Sequence, residues 1–260
     1  MTRQPLLSAR QWQDLIAYKN WEVAKELTLP VPWLVLFLWS IQHDFYLLSF
    51  FASAYFFLTC VRISHNSFHY SLGLTRNYTH WVMLMLSVVM LTSMHAAQFN
   101  HMQHHKHCLT KDDLEGRISH DGFFKVLLLG FLFTFKLHKS ALQKSSKKQQ
   151  TWIRAELALN AILLVIIWFF LESDVLKIHT ALMIVFHAIS PVFTVWSVHH
   201  GCQYDEFNSR TSRNSVLNFL VYNMFYHLEH HLYPAIPTCH WPELSNRLDR
   251  AGLVNYKVVL

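Results

Sequence analysis

The chain has 260 residues, of which 52% are hydrophobic and only 15% charged, against roughly 25% charged in soluble domains. That balance excludes an ordinary soluble domain, and the net charge of +6 has a membrane explanation that leaves no need for a nucleic-acid partner. Four scattered cysteines (Cys60, Cys108, Cys202 and Cys239) without a CxxC pair exclude a disulfide framework and a zinc ribbon.

Arg3 and Arg10 precede a polar, amphipathic stretch to Glu26, and apolar sequence starts only after Pro30, which does not fit a cleavable signal peptide. Four apolar segments are expected to cross a bilayer as two helical hairpins: Val31 to Ile41, Phe45 to Ile63, Ala155 to Leu171, and Ile178 to Val198. The first is short for the ~20 residues of a span, unless it begins near Leu27 and absorbs Pro30 and Pro32. The hairpin turns, Gln42-His43-Asp44 and Glu172-Ser173-Asp174, carry no Lys or Arg. Lys136, Lys139, Lys144, Lys147, Lys148 and Arg154 instead cluster in an expected loop between the hairpins. The positive-inside rule places that loop in the cytoplasm, in reach of anionic lipid. The expected fold is an all-α integral membrane protein, a single domain over residues 1–260, with two transmembrane hairpins, interfacial helices and a cytoplasmic His-rich cap.

Two further apolar runs, His80 to Ala97 and Phe123 to Leu137, complicate this count. The second is too short to span and carries Lys125 and Lys136, so an interfacial or re-entrant course is expected. The first separates two histidine clusters. If those clusters work together, the chain between them crosses an even number of times, so this run is expected to dip or lie flat.

Three clusters stand out: HNSFH (His65, His69), HMQHH (His101, His104, His105, with His107 beyond) and HLEHH (His227, His230, His231). On a helix, residues at i, i+3 and i+4 share a face, so each cluster points to one place. Given 19 histidines, HxxHH is expected by chance about 0.1 times, and it occurs twice. A lone HxxxH on an apolar helix is more often a packed pair than a metal site; three such clusters outweigh that bland reading. Eight imidazoles exceed the needs of one ion, so two are implied. Zinc is usually satisfied by three or four ligands and HExxH is absent, whereas imidazole-rich sites with open positions suit iron and dioxygen.

HNSFH, HMQHHKH and YHLEHHLYP, in this order and with this topology, resemble the membrane fatty acid desaturase/hydroxylase superfamily, whose members carry three histidine boxes. The resemblance covers nearly the whole chain. It implies a non-haem di-iron centre, two Fe ions, that activates O2 and removes hydrogen from an unactivated C–H bond. The implied ligands are His65, His69, His101, His104, His105, His227, His230 and His231. His199 of VWSVHHG is the ninth, with His200 as fallback. His200, His107, Asp112, Asp113, Asn218, Asn223 and Glu229 are candidate orienting partners, and for His107 that role stands ahead of ligation or a plain surface position. NSRTSRNS and HLYPAIP are similar also to the bacterial carotenoid ketolase branch.

The implied function is desaturation of an acyl chain or lipid-like substrate; a hydroxylase or carotenoid ketolase/hydroxylase is the alternative. The chain lacks an HPGG-type cytochrome b5 motif, GxGxxG and cluster-type cysteine spacing. Electrons are therefore expected from a separate ferredoxin, rubredoxin or cytochrome b5-like donor with its reductase; Lys139 to Lys148 either form part of its docking surface or only set topology and meet lipid headgroups. Two rivals of other classes remain. A membrane metal transporter or metal-binding protein predicts ionisable residues along the spans, and a haem carrier would use His179 and His187. His43, His80, His95, His120, His138 and His240 show no partner pattern.

Overall fold

The computed structural model describes residues 6–259; Arg3 lies outside them. Its helices are α1 (Asn20–Thr28), α2 (Val31–Gln42), α3 (Tyr46–Phe68), α4 (Arg76–Met90), α5 (Met94–His107), α6 (Phe123–Lys144), α7 (Lys147–Phe169) and α8 (Asp174–Pro191). After a π-helical segment, Val192–Trp196, follow α9 (Ser197–His199), α10 (Ser215–Leu220), α11 (His227–Leu232) and α12 (Trp241–Arg250). The sheet content among the described residues is one parallel pair, β1 (Arg210–Thr211) with β2 (Lys257–Val258). The protein is an all-α integral membrane fold.

Four helical stretches are long and apolar enough to cross a bilayer: Asn20–Gln42, Tyr46–Phe68, Lys147–Phe169 and Asp174–His199. The first starts earlier than the apolar run suggests. Leu29 and Pro30 keep right-handed helical angles, so α1 and α2 join into one span that absorbs both prolines. The last span extends past Pro191, which has no N–H to donate backward; Ser190 Oγ donates to the freed His187 carbonyl at 3.1 Å. The π-helical turn that follows carries the chain to His199, and such turns are frequent at functional sites.

Between the hairpins, α4 and α5 meet at a bend of 111°, with Leu91 in the left-handed region at φ 57°. A backbone break at membrane depth persists only where protein groups satisfy it, and side chains from the second hairpin and α6 do so. His179 donates to Val89 O (2.8 Å) and His187 to Met90 O (2.7 Å), capping the end of α4. His138 Nε2 accepts from Ser93 N at 3.0 Å, and Glu156 accepts from Ser93 Oγ (2.5 Å), His95 N (3.2 Å) and His95 Nδ1 (2.7 Å). The run His80 to Ala97 therefore folds back on itself. His179 and His187 have their Nε2 atoms committed to carbonyls, which removes the basis for a haem reading.

The basic segment is not a loop. Lys136, Lys139 and Lys144 lie on α6, and Lys147, Lys148 and Arg154 on α7, with only Ser145 and Ser146 between the helices. Helix α6 crosses α8 at Gly130, where a Cβ would stand 1.7 Å from Ala188 O, and its outer face shows Phe124, Leu128, Phe131 and Phe135.

The C-terminal cap has its own core. Leu228, Ile236, Trp241, Leu244 and Leu248 pack with Leu7 and Leu15 of the N-terminal stretch, and Leu7 N donates to Tyr233 Oη at 2.9 Å. A buried ion pair ties cap to spans. Arg62 on α3 bonds Glu26 of α1 in bidentate fashion and donates to Tyr222 O at 2.5 Å, while Asn66 accepts from Thr238 Oγ1 at 2.6 Å. Arg62→Ala strands a carboxylate that is 1% exposed, and removing one partner of a buried pair costs about 3–5 kcal/mol. The expected result is a correspondingly lower midpoint of thermal unfolding in detergent, with Arg62→Leu/Glu26→Leu recovering most of it.

Candidate metal centre

The end of α3 supplies His65 and His69, one helical turn apart; α5 supplies His101, His104 and His105; α9 supplies His199; α11 supplies His227, His230 and His231. All nine rings turn Nε2 inward. One group joins His65, His69, His101 and His230, the other His104, His199, His227 and His231, and within each the ligand atoms lie within 4.8 Å of one another. His105 Nε2 adds to the first group, 2.7 Å from His230 Nε2 and 3.2 Å from His101 Nε2. Neighbouring Nε2 atoms stand 2.7–3.3 Å apart throughout. Metal–imidazole bonds of about 2.0–2.1 Å at right angles separate two nitrogens by about 2.9 Å.

The Nδ1 atoms show why these contacts suit an ion. His104 Nδ1 donates to Asp113 Oδ2 at 2.7 Å, His101 Nδ1 to Glu115 Oε1 at 2.9 Å, and His199 Nδ1 to the Asn208 carbonyl at 2.6 Å. A neutral ring with its proton on Nδ1 has only a lone pair on Nε2. With His104 neutral, it and His199 face each other lone pair to lone pair at 3.0 Å, an arrangement that a cation between them stabilises. Burial holds His227, His230 and His231 well below the usual histidine pKa, helped by repulsion among the rings, so they present neutral nitrogen.

Asp113 is fully buried in the turn after α5. Burial opposes its charge, but the His104 hydrogen bond and charge, with the N–H groups of Gly116 and Leu109, overcome this and hold its pKa down at about 2. Gly116 is required there, since a Cβ would lie 2.1 Å from Asp113 Oδ2. Outer partners of metal-bound histidines are typically worth 10–100-fold in metal affinity. Asp113→Asn is expected to weaken metal binding by about that factor, measured by competition with a chelator; unchanged affinity would remove Asp113 from the site.

The other named residues stand elsewhere. His200 Nδ1 donates to Ser119 O at 2.7 Å and its ring stacks on Trp196, so His199 alone of that pair faces the cluster. His107 is half-buried at the end of α5, outside both groups, and Asp112 is exposed. Glu229 is buried, ion-paired to Arg213 and accepting from Thr211 Oγ1 at 2.7 Å, so it anchors α11 to the cap. Asn218 donates to Ser212 O at 2.8 Å, and Asn223 N donates to Asn218 O at 2.7 Å in a left-handed turn. Sequence reasoning missed Glu115; its place two residues after Asp113 in the same turn was the available signal. It also passed over Glu156, a lone carboxylate inside an apolar run.

Trp241 closes the cluster on the cap side, its ring centroid 5.1 Å from His230 and 5.6 Å from His65. A search of curated proteins found no match. A family model described as fatty acid desaturase matches residues 44–259, a range that holds all nine inward-facing histidines. A match over most of the chain, with its histidines gathered into two groups able to hold metal, makes this protein a member of the fatty acid desaturase family and an oxidoreductase of desaturase or hydroxylase type.

Proposed function

We propose that the chain is an O2-dependent, two-iron membrane enzyme that desaturates an acyl chain or similar lipid, with its histidine cap in the cytoplasm and its electrons drawn from a separate carrier. The observation that carries this reading is the convergence of Nε2 atoms into two groups, with those of His104 and His199 3.0 Å apart while both Nδ1 atoms are hydrogen-bonded elsewhere. Nine convergent imidazoles suit iron with open positions. Bound iron would supply O2 activation at the cluster.

The chain's own residues do the rest. Asp113 and Glu115 fix the rings of His104 and His101, and Trp241 walls off the cap side with apolar surface. The exposed apolar faces of the spans and α6 meet lipid, from which an alkyl substrate can arrive without crossing water. The electron balance is closed by two sources. The substrate loses two hydrogens and the carrier gives two electrons, which with two solvent protons reduce one O2 to two waters. The cytoplasmic placement rests on Lys139, Lys144, Lys147 and Lys148, all exposed where α6 meets α7.

The test is metal analysis of the purified protein together with lipid profiling by mass spectrometry of cells with and without expression. About two irons per chain and a lipid product lighter by two hydrogens support the proposal. Stoichiometric zinc without iron sinks it, and a product gaining oxygen replaces desaturation by hydroxylation or ketolation.

A further inference from the structure

Helix α10 opens a stretch, Ser215 to Tyr222, that holds no charged residue. Asn214 caps it, its Oδ1 accepting from Leu217 N at 3.0 Å. One face is built into the protein: Asn218 is buried, and Leu217 and Val221 pack against Val198, Phe225 and Val259. The other face is bare. Val216, Phe219 and Leu220 stand at i, i+3 and i+4, hence together, and are 66%, 79% and 46% exposed. Large apolar side chains grouped on a surface mark a contact with something apolar.

After α10 the chain turns back toward the spans. Tyr222 and Asn223 both take left-handed backbone angles, φ 52° and 65°, a conformation uncommon for a bulky residue such as tyrosine. The turn brings the Tyr222 ring to the first span, where its Oη accepts from Trp33 Nε1 at 2.7 Å. Trp33 in turn stacks on Tyr55 of the second span, ring centroids 4.5 Å apart. Trp33 lies about 14 Å along the helix from the Gln42 end of its span, close to halfway through a hydrocarbon core of about 30 Å. Tyr222 thus reaches into membrane depth. The backbone around it meets the condition for lying against lipid, where polar groups need partners within the protein. Val221 N donates to Leu217 O (3.0 Å), Tyr222 N to Phe219 O (3.3 Å) and Asn223 N to Asn218 O (2.7 Å), while Tyr222 O accepts from Arg62 at 2.5 Å.

We infer that α10 is a membrane-inserted strut, with Val216, Phe219 and Leu220 among the acyl chains of the leaflet beneath the histidine cap and Tyr222 tying it to the first span. Lipid is the occupant of the bare face because that face continues the lipid-facing surface of the spans. Its anchor, Trp33, is a span residue, and Val31 and Val35 on the same helix are exposed as well. A charge-free helix with Val, Phe and Leu outward, beside a tyrosine and a tryptophan, has the composition that settles at the boundary of headgroups and acyl chains. His227 follows Tyr222 closely along the chain, so the strut sets the height of the third histidine cluster over the bilayer. This seating is independent of the reaction that the metal centre performs.

The test places a nitroxide at Phe219→Cys in the full chain, in phosphatidylcholine nanodiscs, with Cys108 and Cys239 replaced by Ser and the buried Cys60 and Cys202 kept. Power-saturation EPR then compares relaxation by O2, which partitions into lipid, with relaxation by a water-soluble nickel chelate. Oxygen is expected to dominate, as for a label at Phe131→Cys on the outer face of α6. A label at Arg250→Cys, exposed on α12 of the cap, should show the reverse. Trp33→Phe removes the donor to Tyr222 and should shift the balance at position 219 toward nickel while leaving position 131 unchanged. A Val216→Cys label repeats the measurement should the first variant misfold, with thermal unfolding checking the fold of each. Nickel dominance at both 216 and 219 overturns the insertion, and spin–spin broadening there overturns it in favour of a second copy of the chain. An unchanged balance in Trp33→Phe removes Tyr222 as the tether.

Discussion

His104→Ala is expected to abolish the proposed turnover and to empty the metal position that His104 would share with His199, His227 and His231. The ring is buried, its Nε2 is 3.0 Å from His199 and 3.3 Å from His231, and its Nδ1 is fixed by Asp113. Alanine removes a ligand and also leaves Asp113, a carboxylate held charged, without its partner. The effect therefore exceeds the roughly 10–100-fold that follows loss of an outer partner alone. Metal per chain should fall by about half or more, read by elemental analysis, with product formation lost in the same preparation. His107→Ala, three residues along HMQHHKH, should leave metal content unchanged because His107 lies outside both groups. Equal metal in wild type and His104→Ala would break the assignment of the second group.

Glu156→Leu unfolds or severely destabilises the protein, although residue 156 touches no ring of the cluster. Glu156 accepts from Ser93 Oγ, His95 N and His95 Nδ1 at the tip of the α4–α5 bend. Each buried donor left without an acceptor costs about 1–3 kcal/mol, so the total reaches about 5 kcal/mol in a setting without water to substitute. Glu156→Gln keeps an acceptor oxygen and should lose less. Thermal unfolding in detergent, followed by tryptophan fluorescence, checks both; a Leu variant that melts with the wild type would show that the bend does not depend on this carboxylate. Because the bend brings α5 back toward the end of α3, its loss also separates His101 from His69.

Much of this centre was legible before any coordinates. HNSFH, HMQHH and HLEHH each place their rings on one helical face by spacing alone, and the nine rings expected as ligands are the nine that turn Nε2 inward. The dip of His80 to Ala97 was also legible, from the requirement that two cooperating clusters share a side. What spacing could not reveal was how the dip is held. His95 and His138 show no pattern in the sequence, and His179 and His187 suggested only a haem pair, because their partners are Glu156, Ser93 and the carbonyls of Val89 and Met90, far away along the chain. The basic segment misled in another way. Its charges suggested a loop, but Lys and Ser are compatible with helix, and only two residues between α6 and α7 are left outside one.

The sequence by itself determined the class of molecule, the number and order of the four spans and eight of the imidazoles that gather, because hydropathy and the 3.6-residue period are local properties of the chain. The tertiary structure alone decided how those imidazoles divide into two groups, that Asp113 and Glu115 orient His104 and His101, that His199 rather than His200 faces the cluster, and that Tyr222 reaches the first span at Trp33. Each of these depends on which atoms meet across helices, and such meetings are set by packing between segments that no local period records.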